Sequence, residues 1–137
     1  MALDAIPDMS FSCPVMNIKN IKNMTYFTSV DGCRIAETFG IPSEGIKEAS
    51  IGYAILQAGK RTESHCHDFL EWYVIIKGRA EMAIGKERRL VAEGDNVLIP
   101  KNEWHFISAK GRTDLEFYCF CVPSFTPEGT AMKDGIG

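Results

Sequence analysis

The chain has 137 residues, enough for one domain with a buried core, and its 15 basic against 18 acidic side chains leave a net charge of −3. That balance offers no electrostatic footprint for nucleic acid or an anionic membrane, and no apolar run approaches the ~18 residues of a membrane span. Five cysteines without a CxxC pair, behind an N-terminus (1–10) that has no basic residue, predict a cytoplasmic protein with no signal peptide and no disulfide framework.

Residues 1 to about 22 hold Pro7, Pro14 and several asparagines and read as an irregular arm. Extended runs are expected at 24–29 and 34–39, with a loop at 41–45 that contains Pro42 and Gly45. From residue 51 the pattern is almost purely β, with strands expected over 51–57, 71–76, 79–84, 88–91, 96–99, 104–108 and 114–122. Ala58-Gly59, Lys77-Gly78, Gly85-Lys86, Glu93-Gly94-Asp95 and Lys110-Gly111 mark turns between them. No helix of ten or more residues is expected. The whole is read as a single all-β domain over 1–137, an antiparallel sandwich or barrel with its core at 51–122. The tail, 123–137, is expected to lie over the surface.

The three histidines, His65, His67 and His105, all fall within two motifs. The first reads Gly59-x5-His65-x-His67-x3-Glu71-x6-Gly78, the second Gly94-x5-Pro100-x-Asn102-x2-His105. In a strand, residues i and i+2 share a face, so His65 and His67 point one way and Cys66 the other. A turn at 68–70 then lets Glu71 open the next strand facing the same interior, and His105 arrives from a distant strand. Three imidazoles and a carboxylate are a complete ligand set for one divalent transition metal, with positions left open for a substrate.

Both motifs resemble those of the cupin superfamily, G-x5-H-x-H-x3,4-E-x6-G followed by G-x5-P-x-G-x2-H-x3-N. The resemblance covers 59–109 directly and matches eight of ten specified positions. It implies a double-stranded β-helix, or jelly roll, of the small single-domain type, with His65, His67, Glu71 and His105 holding the metal inside the barrel. Asn102 replaces the family's usual glycine, a mild change because asparagine tolerates positive φ. Ala109 stands where the family often has asparagine, which puts only a supporting contact in doubt.

If Glu71 faces inward, so do Tyr73 and Ile75, while Trp72, Val74 and Ile76 face outward. Likewise His105 and Ile107 oppose Trp104 and Phe106. The outward set is too apolar for a solvated face and calls for a cover, from the N-terminal arm or from a second subunit in a homodimer. Tyr53, Tyr73 and Glu103 are candidate catalytic groups near the metal, with Glu63 as a further carboxylate; core packing and exposed loops are the plainer readings of these residues. Cys119 and Cys121 share a strand face, where they can serve as small hydrophobes or approach the metal. The charge run 86–89 reads as a solvated hairpin turn.

A His3Glu shell suits Fe, Mn, Zn or Ni alike. Its open positions allow Lewis-acid chemistry of the isomerase, lyase or cyclase kind, or dioxygenase chemistry with a redox metal. The leading expectation is a metalloenzyme acting on a polar, oxygen-bearing small molecule. The rival is a non-catalytic module that binds a small ligand or the metal itself.

Overall fold

The turn signals at 58–59, 77–78, 85–86, 93–95 and 110–111 each contain a glycine with φ between +57° and +93°. Gly78 is the most demanding of them, because a Cβ there would stand 2.7 Å from the carbonyl oxygen of Asp114. The computed structural model describes residues 15–133. In chain order its elements are β1 (Phe27–Thr28), β2 (Arg34–Phe39), α1 (Ile41–Glu44), β3 (Ser50–Leu56), β4 (His65–His67), β5 (Leu70–Lys77) and β6 (Arg79–Ile84). They continue with β7 (Glu87–Ala92), β8 (Asn96–Ile99), β9 (His105–Lys110), β10 (Leu115–Val122) and β11 (Thr130–Met132). A 3-10 turn at Ile21–Asn23 precedes them.

The strands make two antiparallel sheets, ordered β1-β2-β3-β10-β5-β8 and β11-β4-β9-β6-β7. Each strand follows the two-residue pleat. On β10, Leu115, Phe117 and Cys121 are buried while Glu116, Tyr118 and Phe120 are less so. Glu71, Tyr73 and Ile75 of β5 alternate the same way with Trp72, Val74 and Ile76. The inner faces meet in one core, where Ala54, Ile75, Leu115 and Phe117 of one sheet pack with Ala80, Met82, Ile107 and Ala109 of the other. Fully burying one such Ile, Leu or Phe contributes roughly 1.5–3 kcal/mol. The expected all-β jelly roll is the fold observed.

Three expectations change. The run expected at 24–29 shrinks to the two residues of β1, because a tight turn begins at Ser29: its hydroxyl donates to the Asp31 carboxylate, and Gly32 N–H donates to its carbonyl at 3.0 Å. The loop at 41–45 holds one helical turn, α1, which ends at Gly45 in the left-handed conformation with φ +69°. The tail does more than lie over the surface. Residues 130–132 form β11 beside β4, with Thr130 opposite His67 and Met132 opposite His65.

Residues 1–14 of the arm lie outside the described part, and its described Lys19 docks on β2, which β3 and β10 separate from β5 with its Trp72, Val74 and Ile76. Lys19 Nζ donates to the Thr38 carbonyl at 2.7 Å and sits 4.8 Å above the Phe39 ring, and Arg34 lies 5.3 Å from the Tyr26 ring. Stacking covers part of each outer face: Arg61 stands 4.0 Å above Phe106 on one sheet, and Trp72 lies on Phe120 at 5.1 Å on the other. Leu98, at 60% exposure, stays open at the edge of that face.

Candidate metal centre

β4 is only three residues long, and its pleat sends both His65 and His67 inward. His65 is directly opposite His105 of β9, and Glu71 enters from β5 in the other sheet. The side chains of all four are buried, and their ligand atoms lie within 4.8 Å of one another. A separate anchor holds the segment leading to β4: Thr62 donates from its N–H to the Ile107 carbonyl at 3.0 Å, and its hydroxyl accepts from Ile107 N–H at 3.0 Å.

Hydrogen bonds determine which nitrogen of each ring faces inward. Nδ1–H of His65 donates to the Glu63 carbonyl at 2.7 Å, and Nδ1–H of His105 donates to the Glu103 carbonyl at 3.0 Å. The Thr130 hydroxyl donates to the Thr126 carbonyl at 3.0 Å, so its oxygen accepts from Nδ1–H of His67 at 2.8 Å. All three rings thus keep the Nε2 lone pair for the interior. Stacking on Phe69 at 4.5 Å also holds the His67 ring.

Glu71 divides its two oxygens. Oε2 accepts from the Cys121 thiol at 3.6 Å, while Oε1 approaches His67 Nε2 at 3.1 Å and His105 Nε2 at 3.3 Å. Burial alone would raise its pKa, but the adjoining His105 and His67 imidazoles outweigh that and hold it at about 2. The His65 imidazole is pushed below its ordinary value by burial, and by His105 next to it. Burial raises the thiols of Cys119 and Cys121, with Glu71 adding to both.

Four side chains able to donate electron pairs therefore converge. Glu71 Oε1 and His105 Nε2 are buried without any hydrogen-bond partner. Unpaired buried acceptors cost about 1–3 kcal/mol each, and more when charged, a cost that a cation at the middle of the cluster would relieve. A divalent ion of borderline softness fits this donor set.

Across just over half of the chain, residues 52–121, the sequence matches the family described as Cupin domain. The chain belongs to the cupin family. No curated protein matches the sequence. Among solved structures, a Cupin 2 conserved barrel domain protein from Salinispora arenicola is 18% identical with a TM-score of 0.68, over 80% of this chain and 90% of that one. A predicted oxalate decarboxylase from Thermotoga maritima is 19% identical with a TM-score of 0.70, over 78% and 99%. A double-stranded β-helix protein from Klebsiella pneumoniae is 15% identical with a TM-score of 0.70, over 87% and 98%. At such identities the likeness is one of fold.

The cupin's other candidates lie further from the centre. Tyr53 is on the outer face, where its hydroxyl donates to Glu116 at 2.6 Å and its ring meets Tyr118 at 4.9 Å. The register of β3 against β10 puts it there, opposite Tyr118. Tyr73 does face inward, but it packs on Phe117 at 4.5 Å, its ring 6.4 Å from that of His105. Glu103 and Glu63 are exposed and contribute their carbonyls, not their carboxylates. Asn102 adopts φ +66°, and its N–H donates to the His67 carbonyl at 2.6 Å.

A cavity of about 500 Å³ opens over His65, His67 and Glu71. Its walls come from β1–β3, β10 and the tail, and Phe27, Ile35, Phe125 and Met132 make much of them apolar. Reading the sequence missed two of the groups around it, Thr130 and Asp31, while Cys121, expected as a small hydrophobe or near the metal, places its thiol on Glu71. The Asp31 Oδ2 lies 3.7 Å from His65 Nε2 and lines the cavity. Only the Ser-x-Asp spacing of a turn marks Asp31 in the sequence, and nothing local links residue 31 to residue 65.

Proposed function

We propose that this cupin is a metal-dependent enzyme acting on a small oxygen-bearing molecule, with one divalent transition metal held by His65, His67, Glu71 and His105. The observation that carries the reading is the pair of buried, unpartnered acceptors, Glu71 Oε1 and His105 Nε2, beneath an open cavity. When bound, such a metal supplies Lewis acidity or, if it is iron, redox chemistry.

The protein's own contribution is orientation and exclusion. The carbonyls of Glu63 and Glu103 and the hydroxyl of Thr130 hold the three rings, and the Cys121 thiol holds the carboxylate. Phe125 and Met132 narrow the approach of water. Asp31, in place of the exposed Glu103, is the carboxylate that would take a proton from a molecule lying against His65.

Elemental analysis of protein purified without chelator or affinity metal tests the proposal. One iron, manganese, zinc or nickel per chain is expected; turnover by a metal-free chain is the result that sinks it. The same proposal includes a homodimer built on the face around Trp72, Phe120 and Leu98. Its compartment is the reducing cytoplasm, in keeping with free Cys33, Cys66, Cys119 and Cys121.

A further inference from the structure

We infer that the cavity selects a ligand without negative charge, one with an apolar body and an O–H or N–H group that donates to Asp31. The inference rests on the proposal above in taking this cavity as the substrate site, and it narrows the expected polar metabolite to a class.

Charge is the first ground. Asp31, Glu37 and Glu71 line the cavity, and none of the chain's 15 lysines and arginines does. Residues 1–14 and 134–137 contain no lysine or arginine that could supply one. A divalent ion opposed by three carboxylates leaves the site with a net negative formal charge. A dianion of the oxalate kind would find only the metal to offset it, with all three carboxylates opposing. At an effective dielectric constant of about 20, a like charge within a few ångströms is enough for roughly tenfold discrimination.

Asp31 is the second ground, because it is held and not merely near. Its Oδ1 accepts from the Ser29 hydroxyl and, at 3.1 Å, from Cys33 N–H, and its carbonyl accepts from Glu63 N–H at 2.9 Å. These bonds aim Oδ2 into the cavity beside His65, as an acceptor for a ligand's donor. The third ground is the wall. Phe27, Val30, Ile35, Ile51, Phe125 and Met132 suit a hydrocarbon or aromatic body, and about 500 Å³ falls within the range of small-molecule sites.

The test uses the full chain loaded with Zn(II) and four probes: tyrosol, tyramine, 4-hydroxyphenylacetate and oxalate. The first three share one aromatic body and phenol and differ in charge. Titration calorimetry is expected to show tyrosol and tyramine binding about tenfold or more tighter than either anion. Comparing those two identifies whether a neutral or a cationic ligand is preferred. In Asp31→Asn combined with Glu37→Gln the gap should close several-fold, and the rim variant Glu37→Gln alone should narrow it if the double variant does not fold. The inference is overturned if either anion binds as tightly as tyrosol, if none of the four binds, or if the gap survives in the folded variants. Zinc content is measured first. A chain that retains no zinc defeats the metal-centre proposal, while the same series on metal-free protein, where no cation offsets the carboxylates, should then discriminate more sharply.

Discussion

Replacing His105 with alanine removes a ring that is 1% exposed and whose Nε2 has no hydrogen-bond partner. Two effects follow, and they are separable. The vacated volume between β4 and β9 costs folding stability of about 2–4 kcal/mol with or without metal, in the range of large-to-small core substitutions. Loss of one ligand in four also weakens metal binding, and with it the stabilisation that binding confers. Metal at about 100 times its Kd stabilises the native state by ~2.7 kcal/mol. For a chain of this length that is about 8–12 °C in Tm. Thermal unfolding followed by circular dichroism, with chelator or with added Zn(II), separates the two effects. Wild type should gain close to that shift, whereas His105→Ala should start lower in chelator and gain little. An equal metal-dependent shift in both proteins refutes the assignment of His105. A wild type that responds to none of Fe(II), Mn(II), Zn(II) and Ni(II) refutes the centre itself.

Thr130→Val keeps the volume but removes the oxygen that accepts from His67 Nδ1, so metal affinity should fall about 10–100-fold in a chelator competition titration; an unchanged affinity would show that stacking on Phe69 is sufficient. In metal-free protein the His65 pKa is lowered below 6.5 by burial and by His105, and Glu71, despite its burial, is held at about 2 against 4.5 by His105 and His67. Both values are depressed on folding, so the unfolded chain takes up protons first. Stability should fall with acid below about pH 6.5 through His65, and again between 4.5 and 2 through Glu71. Urea midpoints that stay flat from pH 8 to pH 3 would contradict this. Leu98→Lys, on the open edge of the outer apolar face, should convert a dimer to a monomer in sedimentation velocity; a monomeric wild type removes the dimer.

Much of the barrel and all four proposed ligands could be read directly from residue order. Strand period and glycine turns act over short distances, and His65 and His67 sit on one face because the pleat requires it. Reading failed where placement depends on pairing between distant segments. Tyr53 looked near the metal by composition, yet one step along β3 puts Gly52 inside and Tyr53 outside, a register no local signal defines. Thr130 lies in a run rich in Pro, Gly and Thr, and its role comes only from β11 pairing with β4. Asp31 belongs to a turn whose internal hydrogen bonds are legible, but its approach to His65 depends on how β1 and β2 fold over the cavity mouth.

β11 is the last element in chain order among the described residues, and it supplies the oxygen that orients His67. During synthesis, residues 65, 67, 71 and 105 have all been made before that oxygen exists. A nascent chain can therefore gather the four ligand residues while one ring still turns freely. Such an unfinished centre would bind a metal loosely and exchange it readily. Pairing of Thr130–Met132 with His65–His67 would convert loose capture into retention, so the choice of metal would stay open until residues 130–132 have folded back.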